Sequence, residues 1–349
     1  MMMIGRVLTA AVAVAALAGT SPALIAQQNN LDERRSQQEQ RDIQALVQVV
    51  DAVSGGTQPA PTDIGIMWSS NHFVRGADGS TYIPFTVSVD PAQLARPEAA
   101  VYVRVVNQDP AAAPAAAEQG GDNRDQADQP AYPWDNVYFT TVGASGDISR
   151  AMALKPGNYE VFVAIKEQSP LEPQRNQPPA KVGLLRRTLM VPDFGGTELS
   201  TSSIIIASLI EPVTTPLTPE QQQENPYTFG TMRVVPSADV MLSKSEELQV
   251  LFWIYGTQQT SGKPDVEVEY NFHQRTAEGE KYFNKTAPQA LNAQTLPPQF
   301  DIAAGHQLPG SLVVPLTSFP EGDYRLEIKI TDKLSGRTLT QNAMFTVVS

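Results

Sequence analysis

The strongest constraint on the fold of this 349-residue chain is an internal repeat. The segment LKPGNYEVFVAIKE around Tyr159 aligns with FPEGDYRLEIKITD around Tyr324, at an offset of 165 residues. Upstream, IPFTVSVD around Phe85 aligns with VLFWIYGT around Phe252, at an offset of 167 residues. Two elements that recur in the same order at nearly one offset indicate the duplication of a whole domain. The chain is therefore predicted to contain two similar domains in tandem.

Both copies alternate apolar and polar residues with a period of two, which is typical of half-buried strands. Further strands are predicted over 136–142, 148–154, 159–166 and 184–191. The predicted inward-facing residues of the first copy are Ile83, Phe85, Val87, Val89, Val101, Val103 and Val105. The 28 prolines and 23 glycines favour many turns and few long helices. Strands separated by turn signals every ten or so residues predict β-sandwiches.

Each copy also carries a short motif in which Gly is followed by an amide or acid and then by Tyr. Gly157-Asn158-Tyr159 and Gly322-Asp323-Tyr324 both lead into alternating apolar residues. The motif resembles the tyrosine corner of immunoglobulin-like and fibronectin type III-like sandwiches. The resemblance implies two tandem immunoglobulin-like β-sandwiches, with the hydroxyl of each Tyr bonded to the main chain upstream.

The C-terminal 35 or so residues add a Ser-Gly-Arg turn and a final Phe-Thr-Val strand. This pattern resembles the terminal sandwich domains of large secreted bacterial proteins, including those that accompany Gly-Trp-x-Thr-Asp or von Willebrand A-related domains. The Gly-Trp-x-Thr-Asp signature itself is absent, so no activity of such a partner domain carries over.

The N-terminal residues 1–26 have the layout of a secretory signal peptide. They carry one positive charge at Arg6, an apolar run and small residues near Ala26, and the run is too short to span a bilayer. The polar stretch that follows is expected to fray. One short amphipathic helix is then predicted over 39–53, ending at Gly55-Gly56, with its apolar face packed on its own domain or on a partner.

The predicted organisation is therefore an all-β protein preceded by one helix. A polar segment and the helix occupy 27–58, the first sandwich 59–194 and the second sandwich 195–349. Residues 109–133, rich in Ala, Pro and Gln, are predicted to be a flexible insertion in the first sandwich.

Charge and cysteine content limit the function classes. The formal net charge is −12, and it becomes −13 when a signal peptide containing only Arg6 is removed. Such a chain repels nucleic acid. There is no cysteine, which excludes disulfides and thiolate chemistry.

The motif search predicts no catalytic residue, no cofactor and no metal site. His72, His273 and His306 have no spacing that would place two ligands on one face, and no nucleophile elbow or phosphate-binding glycine loop occurs. The stretch 71-NHFVRGADG-79 is interpreted as the turn before a strand, because the second copy shares none of its chemistry at that place.

Aromatic residues provide the remaining indication of binding. Trp134 and Trp253 are the candidate interaction surface, and Trp253 is expected to point away from Phe252 towards solvent or a neighbouring domain. Packing in the core or at a domain junction is the competing interpretation for both.

The leading hypothesis is an exported, non-enzymatic interaction or scaffold protein of the bacterial cell envelope, located in the periplasm or outside the cell. Its partner would be an envelope protein or a glycan. The alternatives are a carbohydrate-binding module protein and a hydrolase with an unrecognised site.

Overall fold

A computed structural model describes residues 22–109, 132–171, 179–215 and 217–349. Apart from its last residues, the predicted signal peptide lies outside this part of the chain, and so does the predicted insertion apart from its ends. The fold is all-β with an N-terminal helix, which confirms the predicted class.

Two sheets of the first sandwich face each other. One has the order β1–β3–β6, with β2 also paired to β3, and the other has the order β5–β4–β7–β8. Their bounds are β1 Ile66–Asn71, β2 Val74–Arg75, β3 Thr81–Val89, β4 Glu98–Asn107, β5 Trp134–Thr141, β6 Asp147–Leu154, β7 Gly157–Glu167 and β8 Val182–Val191. The inward-facing residues predicted from β3 and β4 all lie in one buried core between these sheets.

The second sandwich also consists of two facing sheets. One has the order β11–β12–β10–β14–β18 with β9 beside β14, and the other has the order β13–β20–β19–β15–β16 with β17 beside β15. The first of these contains β9 Ser200–Thr201, β10 Ile205–Pro212, β11 Thr228–Phe229, β12 Met232–Pro236, β14 Glu247–Tyr255 and β18 Leu308–Pro315. The second contains β13 Met241–Ser243, β15 Val266–Thr276, β16 Gly279–Lys285, β17 Gln289–Leu291, β19 Gly322–Asp332 and β20 Arg337–Val348.

The two sandwiches share one strand arrangement. The order β1–β3–β6 matches β10–β14–β18, and β5–β4–β7–β8 matches β16–β15–β19–β20. The register agrees as well, because Val103 pairs with Val163 while Tyr270 pairs with Ile328. These pairs are related by the two offsets found in the sequence, so the duplication extends to individual cross-strand pairs.

Both predicted tyrosine corners are confirmed. The Tyr159 hydroxyl donates to the carbonyl oxygen of Lys155 at 2.9 Å, and the Tyr324 hydroxyl donates to that of Pro320 at 2.8 Å. Both rings are buried, and this burial raises the pKa of each phenol.

The N-terminal helix α1, Pro22–Ser54, is longer than predicted. It begins at Pro22 instead of residue 39, and the polar stretch that was expected to fray is helical. That stretch is rich in Gln, Glu and Arg, whose unbranched side chains lose little freedom in a helix. The end of the helix agrees with the prediction, since Gly56 follows it with a φ of 68°. Within the described part of the chain, no helix is both long and apolar enough to cross a membrane.

Helix α1 packs on its own chain. Leu46, Val50 and Val53 contact the outward face of the β4–β7 sheet, where Tyr102 and Phe162 lie. This face explains why β4 and β7 are apolar at nearly every position: one set of side chains fills the sandwich core and the other contacts the helix. In the part of the chain that the structure describes, two shorter helical segments connect strands, a 3-10 turn at Pro91–Gln93 and helix α2 at Pro219–Glu224.

Candidate functional site at the domain junction

The two sandwiches meet on the outward face of β14. Leu251, Trp253 and Tyr255 alternate with residues of the second core and therefore point out of the second sandwich. Val74 of the first sandwich belongs to the same buried cluster, and Phe73 packs against it. Apolar burial on both sides thus joins the sandwiches.

Four hydrogen bonds to the main chain of Phe73 and Arg75 fix the contact. The amide of Phe73 donates to Ser203 Oγ at 2.9 Å, and the amide of Ser203 donates to the Phe73 carbonyl oxygen at 2.9 Å. The amide of Arg75 donates to the Tyr255 hydroxyl at 3.0 Å, and Gln307 Nε2 donates to the Arg75 carbonyl oxygen at 3.2 Å. Such directional bonds define one relative orientation of the sandwiches.

The stretch that supplies these contacts is also the turn predicted from sequence. Ser80 donates its amide hydrogen to the Ala77 carbonyl oxygen at 2.9 Å, and β2 pairs with the start of β3. Asp78 and Gly79 have φ angles of 52° and 65°, as a type I′ hairpin turn requires. The turn is confirmed, and the residues before it form the junction.

His72 lies inside the junction. Its Nδ1 is 3.0 Å from the Tyr227 hydroxyl, and the two rings meet edge-on with centroids 5.5 Å apart. Burial disfavours the charged imidazolium and lowers the pKa of His72 to about 4, while burial raises the pKa of Tyr227 to about 12. Both side chains are therefore neutral near pH 7.

An open cleft of about 680 Å³ lies at the rim of the junction. The first sandwich contributes Arg75, and the connecting segment contributes Gly195, Gly196 and Thr197. The second sandwich contributes Ile254, Tyr255, Gly256, Thr257, Gln258, Ile302, His306, Gln307, Leu308, Ser335 and Arg337. Clefts between domains are common ligand sites.

Charge is distributed unevenly in this cleft. Among the described residues that line it, the ionisable side chains other than Tyr255 are Arg75, His306 and Arg337, all of them basic. Arg337 is held by the carbonyl oxygens of Thr197 and Gly256 at 2.6 and 2.7 Å. His306 Nδ1 accepts the Asp301 amide hydrogen at 3.0 Å, so the neutral imidazole carries its proton on Nε2.

The two tryptophans predicted as an interaction surface lie in different places. Trp253 is 7% exposed, and its ring packs on Phe229 within the junction cluster, with centroids 4.8 Å apart. The ring therefore lies in the junction cluster, which also contains Val74 of the first sandwich, and not in solvent. Trp134 is half-buried at the start of β5 and lines a cavity of about 130 Å³ with Tyr82 and Tyr138.

The three histidines are likewise separate, at the junction, on the outer face of β15 and in the cleft. In the described ranges no group of three or more His, Cys, Asp and Glu side chains is arranged to hold a metal ion. The cleft residues were not predicted as a site, because Arg75 and Gln307 are 232 positions apart in the sequence. Only the folded arrangement brings them together.

Comparisons with known proteins assign no family. No family model and no curated protein matches the chain.

Solved structures with some similarity include trypsin-activated alpha-2-macroglobulin from Escherichia coli, at 10% identity and a TM-score of 0.23, and a DUF4785 family protein from Legionella pneumophila, at 9% identity and a TM-score of 0.21. The first alignment covers 83% of this chain and 17% of that chain, and the second covers 76% and 51%. Methylamine-reacted Salmonella alpha-2-macroglobulin gives 11% identity, a TM-score of 0.19, and coverage of 83% and 17%. The chain thus spans a small part of the macroglobulins and about half of the Legionella protein, and at these TM-scores the similarity indicates no function.

Proposed function

We propose that this chain is an exported, non-enzymatic interaction or scaffold protein of the bacterial cell envelope, acting in the periplasm or outside the cell. The observation that supports this proposal most is the junction: apolar burial and hydrogen bonds to the main chain of Phe73 and Arg75 join the two sandwiches, with an open cleft beside them. A surface that is already ordered loses less conformational entropy when a partner binds. Helix α1 packs in cis on the first sandwich and adds to the ordered surface.

Export is supported by the composition of residues 1–26. A fusion of these residues to a reporter should direct the reporter out of the cytoplasm, and N-terminal sequencing of the mature protein should begin near Gln27. Recovery of the intact chain in the inner membrane would contradict this part of the proposal.

The interaction role can be tested by photo-cross-linking in the intact cell. A photoreactive amino acid is placed at Thr197 on the cleft rim and, as a control, at Lys281 on the far sheet, which is exposed and belongs to β16. We expect a discrete cross-linked envelope protein from Thr197 and none from Lys281. Glycan binding that disappears in Trp134→Ala would instead support the carbohydrate-binding alternative, and turnover of a substrate would support the hydrolase.

A further inference from the structure

We propose that the junction cleft binds a carboxylate group of a partner protein and that Arg75 is the residue that recognises it. This inference rests on the proposed interaction function and adds the chemistry of the group that is bound. It follows from three properties of the cleft: the state of the Arg75 side chain, the balance of charge, and the position between the sandwiches.

Arg75 is held by its main chain, and its side chain has no bonding partner among the described residues. Its amide hydrogen and carbonyl oxygen are bonded to Tyr255 and Gln307 of the second sandwich, and the type I′ turn follows directly. Its guanidinium is exposed and forms no ion pair or hydrogen bond with any residue that the structure describes. A planar guanidinium on a fixed main chain is suited to bidentate binding of a carboxylate.

The other cleft arginine differs in this respect. The guanidinium of Arg337 donates to two carbonyl oxygens, lies 3.8 Å from the buried Asp332 carboxylate and lies 3.8 Å from Glu198. It is therefore part of the wall. Among the described residues that line the cleft, Arg75 is therefore the one permanently charged side chain without a counter-charge. A single positive charge matches a carboxylate better than a phosphate dianion.

A hydrogen-bond donor and apolar side chains beside Arg75 complete the cleft. The Nε2–H of His306 is available as a donor, because Nδ1 is occupied by the Asp301 amide. The Gln307 amide is not available, since its oxygen accepts the Tyr255 hydroxyl at 3.1 Å and its nitrogen donates to Arg75. Ile302 and Tyr255 add apolar surface, as a peptide next to the carboxylate would need. In a chain of net charge −12, this cleft is a local basic exception.

The test is an NMR titration of the full mature chain with short peptides. The probes are acetyl-Ala-Glu-Ala-amide, its Gln counterpart, and acetyl-Ala-Ala-Ala with a free C-terminal carboxylate. We expect the amide signals of Gly195, Gly196 and Thr257 to shift with a carboxylate probe and not with the Gln peptide. Binding through the Glu peptide would identify an acidic side chain as the recognised group, and binding through the third probe would identify a chain terminus.

Arg75→Gln should weaken carboxylate binding at least tenfold, because a charge-assisted bidentate contact is lost. Arg275→Gln removes an exposed arginine from β15 and should leave binding unchanged. Both variants should keep the amide spectrum of the folded chain, since both side chains are exposed. Equal binding of the Gln peptide, tighter binding of inorganic phosphate or of a polyuronate oligosaccharide, or unchanged affinity in Arg75→Gln would each overturn the inference.

The same variants separate the two proposals. Suppose that Arg75→Gln abolishes peptide binding, but that the photoreactive residue at position 197 cross-links no envelope protein to a chain that keeps Arg75. The carboxylate site then stands and the envelope role is wrong. If a partner is captured equally by wild type and Arg75→Gln, the interaction role stands and the carboxylate inference is wrong.

Discussion

Two tyrosines illustrate how single residues fix the entry to a strand. Tyr159 and Tyr324 each bond to a carbonyl oxygen four residues upstream, and a glycine stands two residues before each of them. Gly157 and Gly322 have φ angles of 153° and 133°, which L side chains rarely adopt. The Gly-x-Tyr motif therefore combines a glycine that the main-chain φ angle requires with a tyrosine that bonds to the main chain. Both residue types are fixed by these demands, so the motif could be recognised in the sequence.

Replacement of either tyrosine by Phe should lower the free energy of unfolding by about 1 kcal/mol, because one hydrogen bond is lost and the ring remains. Replacement by Ala should cost about 3–5 kcal/mol by leaving a ring-sized cavity. Urea unfolding measures both changes. Tyr282→Phe is the matched control, since Tyr282 is 59% exposed and should change stability little. Equal losses for Tyr282→Phe and Tyr159→Phe would contradict the role of the corner bond.

His72 makes the junction sensitive to acid. Its pKa is about 4 in the folded chain and about 6.5 when unfolded, so the unfolded state takes up a proton first as the pH falls. The stability due to neutral His72 is complete above pH 6.5 and is lost progressively towards pH 4. In His72→Gln the melting temperature should fall less over this window than in the wild type. Equal falls of the melting temperature in His72→Gln and in the wild type would show that His72 does not link the stability of the chain to pH.

Among the structural elements, helix α1 is attached by a buried ion pair. Asp42 accepts hydrogen bonds from Lys166 Nζ and from the Ser169 hydroxyl and amide, while Lys166 also donates to the Glu167 carbonyl oxygen. Asp42 and Lys166 are both buried. A pair whose hydrogen bonds are satisfied fixes the position of the helix along the sheet more than it adds stability.

Asp42→Ala should destabilise the protein by about 3–5 kcal/mol, because Lys166 is left charged and buried without its partner. Glu160→Ala is the control: Glu160 lies on β7, as Lys166 does, but its partner Arg186 is mostly exposed, so the free energy of unfolding should change little. Hydrogen exchange of the helix amides reports the detachment directly. If exchange in residues 42–54 is unchanged in Asp42→Ala, the pair does not hold the helix.

The strands and the end of the helix could largely be predicted from the sequence. The layers that pack against them could not. Alternation located the strands because one face of each is buried, and Gly55-Gly56 located the end of α1. The apolar runs of β4 and β7 indicate burial on both faces, yet nothing local identifies the helix as the second layer. Helix α2 is absent from the sequence-based prediction, although Thr218 and Gln221 form a capping box that the motif Thr-Pro-x-Gln already contains.

On the scale of the whole molecule, the junction depends on residues far apart in sequence. Phe73 and Ser203 are 130 positions apart, and each donates a hydrogen bond to the other. The aromatic outer face of β14 was recognisable, since Trp253 alternates with Phe252, but solvent, a partner and a second domain give the same local pattern. The cleft exists only because the two sandwiches pack against each other in this way. Since the sequence did not predict that packing, it could not predict the cleft.

A buried junction should make the two sandwiches unfold together. The cluster around Trp253 contains residues from both, so unfolding one sandwich exposes apolar surface of the other. Calorimetry of the wild type should therefore give one transition whose calorimetric and van't Hoff enthalpies agree.

Trp253→Ala should remove about 3–5 kcal/mol and separate this transition into two, because the cavity lies between the sandwiches and not within either core. Val313→Ala is the control, since Val313 is 56% exposed on β18 of the same sheet and should leave a single transition at nearly the same temperature. Two well-separated transitions in the wild type would show that the junction does not couple the sandwiches, and a rigid two-domain scaffold would then no longer be supported.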